Sequence, residues 1–299
     1  MTETAPSSLN PKIVQTTCPD CGVPYDCEIW HVISNVALPD VTHQLMSGSL
    51  FEMICPICGH MDFIAYRCLY HDIPHQTLVL LEPNSDKHDA AVRVLRKKVE
   101  GSTVGGTDVV GGDGNDEVGG SDAASGDDEV GGADVVGDDG DNPLSGRSDS
   151  EPSVRTARLV TDPDRLSEKA RILDADLDDK AIEVLKAFIH EQLIREDELF
   201  EPSQFFFDGE DFTGNLLIEV SGYEDGAVFA LRSLYDSIAS SLPENAEDTV
   251  VDFTVDQKWA YSFLENNVQS EADSILMDDW EKSNQRGFSW HDAPGEMPF

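Results

Sequence analysis

The chain of 299 residues carries 59 acidic and 20 basic side chains, a formal net charge of −39 and a hydrophobic share of 39%, so it can build one or two cores while part of it is too polar to pack. Such acidity argues against nucleic-acid or anionic-membrane partners, whose affinity comes from lysine and arginine, and no apolar run approaches the ~18–20 residues of a membrane span. The opening Met-Thr-Glu-Thr-Ala-Pro-Ser-Ser has neither the basic nor the apolar part of a secretory leader; a cytoplasmic, reducing setting is expected, where paired cysteines favour metal or redox chemistry over disulfides.

Residues 1–11 read as a flexible amino terminus, and residues 12–99 as a packed segment that alternates apolar runs with turn residues. Within it, Cys18-Pro19-Asp20-Cys21-Gly22 is nearly repeated as Cys55-Pro56-Ile57-Cys58-Gly59. Cys-x-x-Cys lets one turn present two thiolates, and two such turns supply the four soft ligands of a tetrahedral metal site. The proline fixes φ between the cysteines, and the glycine permits the conformation that turns backbone amides toward sulfur. The gap between the turns, residues 22–54, exceeds the usual ~15–20 residues and predicts an insert. Residues 28–36 are strand-like, Leu38-Pro39-Asp40 starts a short helix that runs through Leu45 and Met46 and is ended by Gly48, and Leu50 to Ile54 returns as a strand. Two more strands are expected over 63–70 and 77–81. Cys18, Cys21, Cys55 and Cys58 are therefore the expected ligands of one metal ion, with free or thioredoxin-like redox thiols as the alternative. Structural zinc is the expected ion; iron, in a rubredoxin-like electron carrier, is the other candidate.

The two knuckles resemble those of the bacterial and archaeal CpXC domain family. So do Asn35-Val36, the Leu38-Pro39 helix with Ser47-Gly48-Ser49-Leu50 behind it, and Leu69-Tyr70-His71-Asp72, over about residues 12–85. Further on, Arg158-Leu159-Val160, Glu168-Lys169 and Leu177-Asp178-Asp179 to Lys186 are similar to the part that follows in such proteins. The resemblance implies a metal-binding module in which Cys18, Cys21, Cys55 and Cys58 are the functional positions carried over. It also makes the intervening stretch an insertion within one family architecture.

That stretch, residues 100–156, is predicted to be a disordered Gly/Asp-rich linker: residues 101–152 hold 14 acids and one base, too much like charge to bury a core. Gly111 to Gly119 fits one calcium-binding nonapeptide, but such turns work only when stacked, so it reads as low complexity. Residues 157–266 are expected to be an α/β region. Residues 158–160 read as a strand, and Asp164 as the cap of a helix through Leu173. Asp178 or Asp179 is expected to cap a helix over 180–196, with Ile182, Leu185, Ile189 and Leu193 on one face. Phe205–Phe207 and Leu216–Val220 read as a strand pair, followed by a helix carrying Val228, Leu231, Leu234, Tyr235 and Ile238. A strand over 249–253 and a helix over 256–264 close the region. Residues 267–299 read as an acidic disordered tail. The fold class is thus α+β: a zinc-ribbon-like, β-rich domain with an inserted short helix, joined by the linker to a second α/β region.

Other candidates read as structural. Cys68, His71 and His75 spell a metal-like spacing, but strand alternation sends Cys68 to an apolar face and His71 away from it. Cys27 and His60 read as spectators near the knuckles, with His60 able to support a ligand. His190 is placed on the polar side of its helix with Glu183 and Lys186. A zinc held by four cysteines has no open coordination position, and the sequence shows no G-x-S-x-G or phosphate-cradling loop. The reading is a non-enzymatic protein-interaction or adaptor module with a protein partner and no stated oligomeric state. An enzyme with an unrecognised site in 157–266 stays open.

Overall fold

A computed structural model describes residues 9–103, 154–196, 204–223, 226–242 and 252–267. Two short antiparallel hairpins carry the cysteine turns at their tips. One is β1 (Lys12–Thr17) with β2 (Pro24–Ile29), and the other is β4 (Glu52–Ile54) with β5 (Met61–Phe63). Between them lie β3 (Val32–Ser34), α1 (Pro39–Met46) and a 3-10 turn over Ser49–Phe51. Pro39 sits in the first turn of α1, where its missing N–H is not needed. The 3-10 turn replaces the first half of the strand expected over 50–54. Leu50 and Phe51 are both buried, and a strand would have sent neighbouring side chains to opposite faces.

The strand expected over 63–70 is also divided, into β5 and β6 (Cys68–Asp72). Between the two, Tyr66 packs on Phe51 and the Arg67 carbonyl bonds to His31 Nδ1, as the chain crosses from hairpin to central sheet. That sheet has the order β3-β6-β7-β8, with β7 over Thr77–Leu81 and β8 over Thr156–Val160. β8 lies parallel to β7, pairing Leu81 with Val160, so residues on either side of the Gly/Asp-rich segment share one sheet.

All five residues of β7 are buried because both faces of the sheet are covered. On one face Ile33, Tyr70, Val79 and Leu81 meet Leu45 of α1 and Leu166 of α3 (Pro163–Asp174). On the other, Leu69, Leu78, Leu80 and Leu159 meet Ala91, Leu95 and Val99 of α2 (His88–Thr103). α2 was not expected, although Ala91, Leu95 and Val99 recur at helical spacing. The basic residues Arg93, Arg96 and Lys97 lie on its exposed side.

α3 is capped by Asp162, whose Oδ1 accepts the Arg165 N–H at 2.9 Å; the expected cap Asp164 lies inside the first turn, behind Pro163. α4 (Asp179–Glu196) is capped by Asp178, which accepts the N–H groups of Lys180 and Ala181 at 2.7 and 3.1 Å. Its Ile182, Leu185, Ile189 and Leu193 join a further core with the meander β9 (Phe205–Glu210), β10 (Leu216–Val220) and β11 (Ala227–Ala230). α5 (Arg232–Ser241) and α6 (Gln257–Asn267) close it. Val228 belongs to β11, not to the expected helix. Ala227 to Ala230 alternate between half-buried and buried with the period of two that marks a strand.

Phe253 is not in a strand; its carbonyl accepts the Leu159 N–H at 2.7 Å, and its side chain joins the core beneath α2. Residues 1–8, 104–153, 249–251 and 268–299, which take in most of the expected flexible amino terminus, linker and tail and part of the expected strand over 249–253, lie outside the described residues. Among the described residues no helix is long and apolar enough to cross a membrane.

Candidate metal centre

Each knuckle is closed by the same pair of backbone hydrogen bonds. The N–H of the first cysteine donates to the carbonyl five residues on (Cys18 to Val23 at 3.0 Å, Cys55 to His60 at 2.8 Å). The N–H of the glycine donates back to that cysteine's carbonyl (Gly22 to Cys18 at 3.0 Å, Gly59 to Cys55 at 2.9 Å). Both glycines hold φ in the left-handed region, 68° at Gly22 and 73° at Gly59, a conformation costly for any residue with a Cβ. Near-identical five-residue sequences have folded into near-identical turns.

The two turns face each other. The four sulfur atoms of Cys18, Cys21, Cys55 and Cys58 all lie within 4.8 Å of one another. Cys18 Sγ is 3.6 Å from Cys58 Sγ, and Cys21 Sγ is 3.7 Å from Cys55 Sγ. A tetrahedron with metal–sulfur bonds of about 2.3 Å has edges of about 3.8 Å, so the spacing fits one ion. Cys18 and Cys55, the first of each pair, are buried, while Cys21 and Cys58 are exposed.

Backbone amides aim at the sulfurs, as support of a thiolate requires. The N–H groups of Cys58 and then Ile57 bring the Cys55 thiol down to about 6. The His60 N–H acts the same way on Cys58, but burial and the three neighbouring sulfurs outweigh it and push that thiol up to about 12. One low and one high thiol in a single cluster is what mutual repulsion produces when four sulfurs share so small a volume.

A family model described as CpXC protein matches residues 16–186, more than half of the chain. The chain belongs to the CpXC family. The family match takes in both knuckles, the central sheet and the beginning of α4. Neither the search of curated proteins nor the search of solved structures finds a match.

Among the residues outside the knuckles that carry the resemblance, Asp72, Glu168, Lys169 and Lys186 are buried polar anchors. Asp72 accepts from Asn35 Nδ2 at 3.0 Å, Tyr70 Oη at 3.2 Å and the His75 N–H at 2.9 Å, and bonds His75 Nδ1 at 2.8 Å. His75 Nε2 reaches Asp176 Oδ1 at 3.1 Å, tying the β6–β7 turn to the end of α3. His75, three residues on in the β6–β7 turn, is thus a direct partner of Asp72.

Glu168 is fully buried and accepts from Lys186 Nζ at 2.8 Å, the Phe207 N–H at 2.7 Å and Arg165 Nη1 at 2.9 Å. Burial opposes its ionisation, but Lys186, Arg165 and Lys169 overcome that and hold the carboxyl low. Glu183 accepts from Lys169 and Lys186, and Asp179 binds Arg158 through both oxygens at 2.7 and 2.8 Å. The face of α4 read as solvated is therefore an internal ionic seam between α3, α4 and β8. His190 is half-buried, bonded to Tyr261 and edge-on to Phe205.

The remaining candidates are dispersed. Cys68 is fully buried in the apolar core and burial pushes its thiol far up. His75 is engaged by Asp72 and Asp176, so the Cys68-His71-His75 spacing assembles no site. Cys27 is buried in β2, and His60 pairs with Asp20 across the knuckles at 3.3 Å. A cleft of about 110 Å³ beside the seam is lined by Arg158, Lys169 and Lys180, each of which is paired with Asp179 or Asp252.

Proposed function

We propose that Cys18, Cys21, Cys55 and Cys58 bind one structural zinc ion, and that this CpXC protein is a non-enzymatic module that presents a surface to a partner protein. The observation that carries the reading is the convergence of four sulfurs, from turns 37 residues apart in sequence, into a cluster no wider than 4.8 Å. A zinc ion bound there supplies a cross-link between the two hairpins and a fixed charge, with no redox chemistry of its own. The chain's own groups do the rest. Gly22 and Gly59 shape the turns, the amides of Val23, Ile57, Cys58 and His60 support the sulfurs, and Asp20 holds His60 beside the second knuckle. Four protein ligands fill a tetrahedral sphere and leave no position for substrate, which supports a binding role over catalysis. A cytoplasmic location belongs to the same proposal, since thiolate ligands must stay reduced.

Elemental analysis of the protein purified without added metal tests this directly. One zinc per chain, lost in Cys55→Ser, is expected. A red protein with visible absorption bands and one iron per chain would instead establish the electron-transfer alternative.

A further inference from the structure

The second hairpin carries an unusual outer face. Ile54 and Met61 are directly opposed across β4 and β5, and Phe63 opposes Glu52. Opposed residues, and residues two apart, share a face of a strand pair, so Ile54, Met61, Phe63 and Glu52 stand together. Their exposures are large for apolar side chains, 61% for Ile54, 59% for Met61 and 49% for Phe63. Ile57, 68% exposed, sits at the tip of the same hairpin, between the two cysteines. The opposite face is different: Met53 there is buried. A two-stranded hairpin has too little area to cover both of its faces, and here it is the apolar face that is left open.

The charge in this part of the sequence is one-sided. From residue 13 to residue 66 the chain has no lysine or arginine, and it has six acids: Asp20, Asp26, Glu28, Asp40, Glu52 and Asp62. Glu52 lies on the face itself, and Asp20 is held against the knuckle by His60. Four thiolates around one divalent ion would add a further net charge of −2. A second copy of this chain, at −39, is repelled by such a surface, as is nucleic acid.

From this we propose that the open face of the β4–β5 hairpin docks a basic, amphipathic segment of a partner protein, apolar side chains on Ile54, Ile57, Met61 and Phe63 and lysine or arginine toward Glu52 and Asp20. This names the surface behind the interaction reading above and rests on that reading. Apolar contacts at the centre give the affinity, and the acidic surround gives orientation and salt dependence. Methionine and phenylalanine beside isoleucine, with Glu52 at one end of the face and Asp20 near its tip, match the apolar and charged parts of protein interfaces.

The test uses the full chain and three labelled synthetic peptides of equal length: alternating lysine and leucine, alternating lysine and serine, and alternating glutamate and leucine. Binding is followed by fluorescence anisotropy at two salt concentrations, on wild type and on Ile54→Ser/Met61→Ser. That double variant leaves Phe63 in place against Phe51, with which it is in ring contact; circular dichroism and metal content confirm that the variant is folded. The lysine-leucine peptide should bind wild type at least tenfold more tightly than either other peptide, weaken with salt, and lose at least tenfold in affinity with the double variant. Equal affinity for wild type and double variant overturns the assignment. So does equal binding of the glutamate-leucine peptide, or a wild-type dimer on light scattering that the double variant abolishes. Metal content separates the two readings. Zinc-loaded protein whose peptide binding ignores the patch removes only the surface, while metal-free protein that binds through the patch removes only the zinc.

Discussion

Gly59 shows how far single residues control the centre. Its φ of 73° is left-handed, and a Cβ added there would meet nothing within 4 Å, so a substitution is strained through the backbone alone. Gly59→Ala should therefore cost about 1–2 kcal/mol, read as a lower midpoint in urea, and should loosen metal binding by displacing the His60 and Cys58 amides from sulfur. Gly48→Ala, also at positive φ but away from the cysteines, should cost a similar amount of stability and leave metal affinity unchanged. His75 carries a pH dependence. Partial burial lowers its affinity for a proton, but Asp72 and Asp176 together raise it above the ordinary histidine value. A group bound more tightly to its proton in the folded state adds stability below the unfolded value, near 6.5, and loses it as pH rises through the folded value. Wild type should therefore lose thermal stability relative to His75→Gln between about pH 6 and pH 8, by on the order of 1 °C, measured by thermal melts across that range.

Among the elements, α3 and α4 are joined by charge rather than by apolar packing alone. Glu168 on α3 is bonded to Lys186 on α4 and to the Phe207 N–H of β9, so one carboxylate fixes three elements in register. Removing one partner of a buried pair leaves a desolvated charge, and Glu168→Ala is expected to cost about 3–5 kcal/mol. The double variant Glu168→Leu/Lys186→Met should cost clearly less than the sum of its single changes, because neither member of this pair is then left facing the other's empty place, although Arg165 and Glu183 each lose one partner. A chemical-denaturation cycle measures the coupling; additive effects would mean that the two groups are solvated and independent in solution. Of these, Lys186 was expected on the polar side of α4, with Glu183 and His190. Helical spacing put Glu183, Lys186 and His190 together correctly, but spacing cannot tell which side of a helix meets another charged helix. α2 is marked in the sequence only by Ala91, Leu95 and Val99, a narrow buried stripe with Arg93, Arg96, Lys97 and Lys98 interspersed.

The described residues combine a central sheet covered on both faces, and the core of α4 with the β9–β11 meander, with two small hairpins whose own cores are slight. The sheet side should hold without metal; the hairpin side should not, because short two-stranded ribbons are marginal in water. Chelation at neutral pH should therefore lower the first thermal transition and make Cys18, Cys21, Cys55 and Cys58 open to alkylation, while Cys68, fully buried in the sheet core, stays protected until global unfolding. Mass spectrometry of the alkylated protein distinguishes the two classes of thiol. Alkylation of Cys68 at the same rate as the knuckle cysteines would show that the hairpins and the sheet unfold as one unit.

Local repetition was enough to write the knuckles: two Cys-Pro-x-Cys-Gly segments must form the same turn, because proline, glycine and the hydrogen bonds that close the turn all act within six residues. The inserted helix from Pro39 to Met46 and the buried stripe of α4 were legible for the same reason, being periodic over short range. What distance in sequence hides is pairing. That β8 completes a sheet begun more than a hundred residues earlier, that Asp72 reaches His75 and Asp176, and that Glu168 finds Lys186 inside the protein were decided only by tertiary packing. There the energy of a charge depends on which side chain arrives opposite it, not on its neighbours in the chain.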